Sequence, residues 1–172
     1  MTPHNYVIEK SDLSKRWYKN GRLHREDGPA IEWSNGSKVW IKNGLTHRKN
    51  GPAVEYANGG KKWYKNGKLH REDGPAIEWC NGDKFWYKNG LLHRENDPAK
   101  EYIMGPKIWY KNGKCHREDG PAWESNNGDK EWYLGGKKLT EKEFNKLKPK
   151  NNSTCDGKYV KVDGIKYKLV KI

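Results

Sequence analysis

Apolar residues never run long in this chain: stretches such as Pro29 to Trp33 and Val39 to Lys42 alternate with polar turns, and the whole pattern returns after 23 residues. Trp17, Trp40, Trp63, Trp86, Trp109 and Trp132 mark the period without a single insertion. A fixed period of this length is the signature of an array whose units bury their apolar face only against their neighbours. Five full units run from Trp17 to Glu131, and a sixth starts at Trp132 and departs from the pattern after Leu134.

Each unit reads as a β-hairpin. In the first, SerAsnGlySer separates two β-forming runs, and Asn-Gly between such runs is the strongest short-range hairpin signal, because both residues tolerate the positive φ of a type I′ turn. The same dipeptide recurs at Asn58-Gly59, Asn81-Gly82 and Asn127-Gly128, with Met104-Gly105-Pro106 in the fourth unit. A two-residue turn at Asn35-Gly36 pairs Trp33 with Lys38 and Ile31 with Trp40. It puts Ile31, Trp33 and Trp40 on one face and Ala30, Glu32, Val39 and Ile41 on the other. The longer polar stretch from Asn20-Gly21 to Gly28-Pro29-Ala30 then serves to link one hairpin to the next, with Pro29 at a strand start because it cannot donate to a ladder. Glu at positions 32, 55, 78, 101 and 124, and Ala at position 30 of every unit, answer a structural demand that all units share.

The ends differ from the array. Residues 1–16, with a short apolar patch from Tyr6 to Ile8, are expected to cap the first unit, since an open strand edge invites pairing with another chain. Residues 17–136 hold the repeats, and 137–172 form a separate C-terminal module. There Thr140 with Glu143 makes a capping box, Leu139 staples onto Phe144, and a helix from about Glu141 to Lys148 ends at Pro149. Tyr159 to Val162, Asp163-Gly164 and Ile165 to Ile172 read as a closing hairpin. The fold class is thus all-β: an elongated single-layer array of antiparallel hairpins with a small helix and hairpin at its C-terminal end. The six period-marking tryptophans are the expected repeat core, with Trp17 at the edge of the array.

Composition narrows the function. Nine Trp and ten Tyr against two Phe mean that the apolar surface is carried by flat rings with a polar handle. The net charge is +13, of which +7 falls after residue 136, so the C-terminal module is the electropositive end. A basic surface favours anionic partners. Three cysteines without a pattern point to reduced thiols in a cytosolic protein. The start of the chain has no apolar core of a signal peptide and no apolar run approaches membrane-spanning length, so a soluble cytoplasmic protein is expected.

The most regular polar set is His24, His47, His70, His93 and His116, each followed by Arg25, Arg48, Arg71, Arg94 or Arg117. Equivalent residues of adjacent hairpins lie about two strand spacings apart, roughly 9.5 Å, too far to share a metal. The set is expected to brace the turns between hairpins. Five copies of one group also argue against a single asymmetric catalytic centre, and no nucleophile beside a base, phosphate loop or metal motif occurs, so no catalytic residue and no cofactor is expected. The candidate binding residues are the five arginines and Lys158, Lys161, Lys166 and Lys168 of the basic module. Rings interleaved with Lys also suit a single-stranded nucleic acid, and Arg with a stacking ring suits a nucleotide.

A 23-residue unit with an aromatic, LysAsnGly, a His, a Gly-containing step and an AsnGly turn resembles the MORN repeat family and its bacterial and viral variants. In the third unit the shared elements are Trp63, Lys65-Asn66-Gly67, His70, Gly74 and Asn81-Gly82. HisArgGluAspGlyProAla stands where the usual unit has His-Gly-x-Gly, so lipid or dimer contacts of other MORN proteins do not transfer by residue. This variant, with its LysLeuThrGluLysGluPhe ending, looks like proteins of bacteriophages and large DNA viruses. The resemblance implies a ladder of hairpins that binds or scaffolds without catalysis. It implies an inhibitor that occupies a host protein or defence complex, with nucleic acid binding or nucleotide sequestration as the alternatives.

Overall fold

A computed structural model describes residues 6–147 and the backbone of 159–162 and 165–168. Among the described residues the fold is all-β with one short helix, and 14 strands form one antiparallel sheet. Thirteen of them succeed one another in line, which at a strand spacing of about 4.8 Å makes an array roughly 60 Å long.

Each unit contributes two hairpins. The first adds two strands to the main sheet, such as Ile77–Glu78 and Lys84–Phe85 in the third unit. The second is a short ribbon, such as Tyr64–Lys65 with Lys68–Leu69, built where the sequence suggested only a connection. Its turn, Asn66-Gly67, is the true type I′ turn: Asn66 has φ 51° and Gly67 φ 78°. Asn20, Asn43, Asn89 and Asn112 repeat this left-handed geometry.

The sheet turn is a different object, and the expected register is corrected there. Ile31 pairs with Val39 and Glu32 with Lys38, one residue off the two-residue turn. Trp33 N–H donates to the Ser37 carbonyl, which makes Ser34-Asn35-Gly36 a three-residue loop with Gly36 at φ 91°. The cause is local. Asn35 Oδ1 accepts the Ser37 N–H at 2.9 Å, an Asx turn that leaves Gly36 alone to take the left-handed conformation. Asn58 and Asn81 accept from Gly60 and Asp83 in the same way.

A one-residue slip exchanges the faces. Ile31 and Val39 now share one cross-strand row with Val54, Ile77, Phe85, Ile108 and Trp123, interrupted by Lys62 between Val54 and Ile77 and by Lys100 between Phe85 and Ile108. The ribbons pack against this face: Leu23 and Ile41 join Ile31, Ala30, Val39 and Val54 in one cluster. Burial raises the hydroxyl pKa of Tyr87 and Tyr110, which lie in these ribbons. Ala30, Ala53, Ala76, Ala99 and Ala122 are 0% exposed, so the most enclosed position of every unit has room only for a methyl group. Each alanine carbonyl also accepts the N–H of the preceding period-marking tryptophan at 2.8 to 2.9 Å, binding sheet to ribbon at the bend of the chain.

The other face carries charge. From Lys15 the cross-strand partners read Glu32, Lys38, Glu55, Lys61, Glu78, Lys84, Glu101, Lys107, Glu124 and Lys130, alternating in sign without exception. Opposite charges at adjacent positions stabilise antiparallel pairs, and a one-residue slip in the first unit would set Glu32 against Val39 or Ser37 instead.

At the N-terminal end Val7–Lys10 pairs with Ser14–Lys19, with Ile8 opposite Trp17. Trp17 is therefore 9% exposed and among the buried tryptophans, not a loosened edge residue. At the other end the sheet continues into Lys137–Leu139. The helix Glu141–Leu147 follows with the capping box in place: Thr140 N–H donates to Glu143 Oε2 at 2.8 Å, and Glu143 N–H to Thr140 Oγ1 at 3.3 Å. The Thr140 N–H, and then the Thr140 hydroxyl donating to the same oxygen at 2.8 Å, hold the Glu143 carboxyl below its usual pKa. Leu139 and Phe144 are both buried, as the staple requires. Tyr159–Val162 and Ile165–Lys168 pair as the closing hairpin.

Candidate binding surface

The His-Arg pair sits at the crossing from one ribbon back to the sheet. His70 N–H donates to the Trp63 carbonyl at 3.1 Å, closing the ribbon, and the next side chain, Arg71, folds back over the Trp63 ring with its guanidinium carbon 4.0 Å from the ring centre. The same stack is found in every unit: Arg25 on Trp17, Arg48 on Trp40, Arg94 on Trp86 and Arg117 on Trp109, at 3.7 to 4.2 Å. Cation–π contact of a half-buried Arg is worth about 0.5 to 2 kcal/mol.

Two further bonds fix each guanidinium. Arg71 Nη1 donates to the Pro75 carbonyl at 3.2 Å and to Glu78 Oε1 at 2.9 Å. All five arginines repeat both contacts, which explains why Glu stands at position 32 of every unit. The glycine of the motif has a role of its own here. A Cβ at Gly74 would lie 2.9 Å from Arg71 Cζ, so the backbone must pass closely beneath the guanidinium. The arginines proposed from sequence as binding residues are thus committed to the protein itself through their stacked face and Nη1.

The histidines join consecutive units. His70 Nδ1 accepts the N–H of Asn89, the left-handed turn residue of the next ribbon, at 3.1 Å. His24, His47 and His93 accept from Asn43, Asn66 and Asn112 at 3.0 to 3.1 Å, and His116 accepts from Gly135 at 2.9 Å. In the third, fourth and fifth units accepting at Nδ1 leaves the ring proton on Nε2, which donates it to the Glu two residues on; in the first unit His24 Nε2 lies 3.2 Å from Glu26 Oε1, and its Nδ1 also lies 2.7 Å from Asn43 Oδ1. The bracing role expected of His, Arg and Asp is the observed geometry. Asp73 receives the Nε–H of Arg71 at 2.9 Å, and this bond and the adjacent charge hold its carboxyl below the usual range.

Between neighbouring brackets lie open clefts. The one between the second and third units has a volume of 530 Å³ and is walled by His47, Lys49, Lys65, His70, Glu72 and Asp73. Its counterpart between the fourth and fifth measures 330 Å³, and there Lys111 lies 4.0 Å from Glu95 and 3.9 Å from Glu118. Sequence reasoning passed over Lys49; an alignment of the five units on their histidines would have exposed it as a Lys in a column of Glu.

The remaining candidates are placed as follows. Lys161 and Lys166 are cross-strand partners in the closing hairpin and Lys168 pairs with Tyr159, while Lys158 lies outside the described residues. Cys80 and Cys115 are free thiols, and burial followed by the charge of Glu131 pushes Cys115 up to about 11, which keeps it protonated and unreactive. No group of three or more His, Cys, Asp or Glu among the described residues has the spacing to hold a metal ion. No helix among them is long and apolar enough to cross a membrane. Compared with known proteins, the chain matches no family model and no curated protein.

Proposed function

We propose that the protein is a non-catalytic repeat scaffold of the MORN-like type that acts by occupying a protein partner, a host protein or complex if the viral resemblance holds. The observation that supports this reading is the inward commitment of its most repeated polar groups. The imidazoles, the guanidiniums and the Glu and Asp that follow them are bonded to one another and to the backbone, so the array spends its chemistry on holding a long, regular surface. Lys and Glu alternate along the charged row of the sheet, so the lysines there form no unbroken basic track, which disfavours a continuous phosphate contact. Leu45 and Leu91 on the ribbons and Ile103 and Met104 at a sheet turn, each at least half exposed, add apolar contact points of the kind protein interfaces use.

The test is recovery of partners by the tagged, full-length chain from lysate of the host in which it acts, with and without nuclease, followed by mass spectrometry of proteins and released small molecules. A defined polypeptide in stoichiometric yield, insensitive to nuclease, is the expected result. Nuclease-sensitive recovery of many unrelated proteins would replace this reading with nucleic acid binding, and a stoichiometric nucleotide without protein would replace it with sequestration.

A further inference from the structure

The second unit lacks the acids that complete the bracket elsewhere. Lys49 and Asn50 stand where the third unit has Glu72 and Asp73. In the first, third and fifth units Glu meets His Nε2 at 3.1 to 3.2 Å and Asp meets Arg Nε at 2.7 to 2.9 Å. The fourth unit shows that the carboxylate on Arg is retained even when its position changes. Asn96 replaces the Asp there, but Asp97, in the place of the motif glycine, reaches Arg94 Nη2 at 3.1 Å. Among the described residues, no carboxylate meets His47 Nε2 or Arg48 Nε.

Both groups are held as donors. Arg48 is clamped by Trp40, Pro52 and Glu55, and His47 Nδ1 accepts from Asn66 N–H, so Nε2 carries the proton. They border the 530 Å³ cleft together with Lys49 and Lys65. In place of the two glutamates that flank Lys111 in the equivalent cleft, this one has Lys49 on one wall and Glu72 on the other.

We propose that the cleft between the second and third units binds two adjacent carboxylates, a Glu-Asp step or its like, on an acidic segment of the protein partner. The other units supply the template for the bound state: one carboxylate on the imidazole Nε2–H, the next on the guanidinium Nε–H, with Lys49 and Lys65 as flanking charges. Two donors already fixed in place lose little freedom on binding, which is the condition under which an exposed ion pair adds affinity. The inference rests on the reading of the protein as a partner-binding scaffold and gives that partner a chemical character.

The experiment is a titration of the ¹⁵N-labelled full chain at low ionic strength with the peptide acetyl-Ala-Glu-Asp-Ala-amide, with acetyl-Ala-Gln-Asn-Ala-amide and inorganic phosphate as comparison ligands. Saturable shifts of the Arg48 Nε–H and His47 ring signals with the acidic peptide are expected, without equivalent shifts at Arg71 or Arg117. The double variant Lys49→Glu/Asn50→Asp recreates the third unit's own sequence and should fold with an unchanged amide spectrum elsewhere. It should weaken peptide binding by roughly fivefold or more by filling the site from within. Shifts spread evenly over all five arginines, binding unaltered in the double variant, or phosphate binding as tightly as the peptide would each overturn the proposal. The two readings fail separately: a partner captured equally well by the double variant, with no peptide binding, removes the acidic site and leaves the scaffold. Peptide binding at the cleft with no partner recovered does the reverse.

Discussion

The second and third units are a comparison made within one molecule. Their seven-residue motifs share His, Arg, Gly, Pro and Ala and differ only in Lys49-Asn50 against Glu72-Asp73. Yet the framework is the same in both. Arg stacks on Trp at 3.7 Å in one and 4.0 Å in the other, Nη1 reaches its Pro carbonyl at 3.0 and 3.2 Å, and it reaches its Glu at 2.7 and 2.9 Å. The histidine bridge to the next ribbon measures 3.1 Å in both. Losing two acids leaves the bracket standing. The residues that hold it are therefore the ring beneath the guanidinium, the carbonyl and the distant Glu, while the Glu-Asp step is a peripheral layer that is free to change with function.

The largest expected effect tests the shared part. Trp40→Ala and Trp63→Ala should each lower stability by about 3 kcal/mol, toward the low end for truncating a large aromatic because both rings are only partly buried. Thermal unfolding should show shifts of roughly 6 to 12 °C for a chain of this size. A much smaller loss at Trp40 would break the comparison, because it would mean that the acids of the third unit strengthen the stack. Arg48→Ala and Arg71→Ala come next, at about 2 kcal/mol each, from the lost ring contact and from leaving a half-buried Glu and a carbonyl without their donor. Unfolding free energies of the pair from denaturant titration should agree to within about 0.5 kcal/mol, the size of an exposed ion pair.

The smallest effect isolates the acids. Lys49→Glu/Asn50→Asp should raise the melting temperature slightly at neutral pH, and Asp73→Asn should lower it slightly, both effects shrinking in high salt. The pH dependence has a definite sign. The carboxyl of Asp73 is depressed by Arg71 in the folded chain, so its contribution is present above its unfolded value of 3.8 and is lost as pH falls through the lower folded value. Melting curves of the native chain and Asp73→Asn should therefore differ at pH 6 and converge in the acid range below about 4. A gap that persists in acid would show that Asp73 acts by something other than its charge.

Legible in the residues alone were the period, the all-β class, one of the two hairpins of each unit, the helix with its capping box, and the bracing role of the His-Arg pairs. Each of these rests on short-range chemistry: a turn dipeptide, an i to i+3 reciprocal hydrogen bond, or a residue type that returns at a fixed interval. The remainder depends on contacts between segments distant in the chain. The two Asn-Gly dipeptides found in four of the five units look alike, but the Asx bond of Asn35 to Ser37 makes one a three-residue loop, while the ribbon holds Asn20 and Gly21 in the left-handed turn. That one-residue difference set the register and exchanged the faces, moving Val39 beside Ile31 and lining up Lys with Glu across the sheet. Alanine emerged as the most buried residue because strand and ribbon meet at its methyl group, which no count of hydrophobic residues reveals. The arginines, which composition offered as an open anion surface, were claimed by rings eight residues earlier and glutamates seven residues later. Such distances are bridged only when the ribbon turns the chain back upon itself.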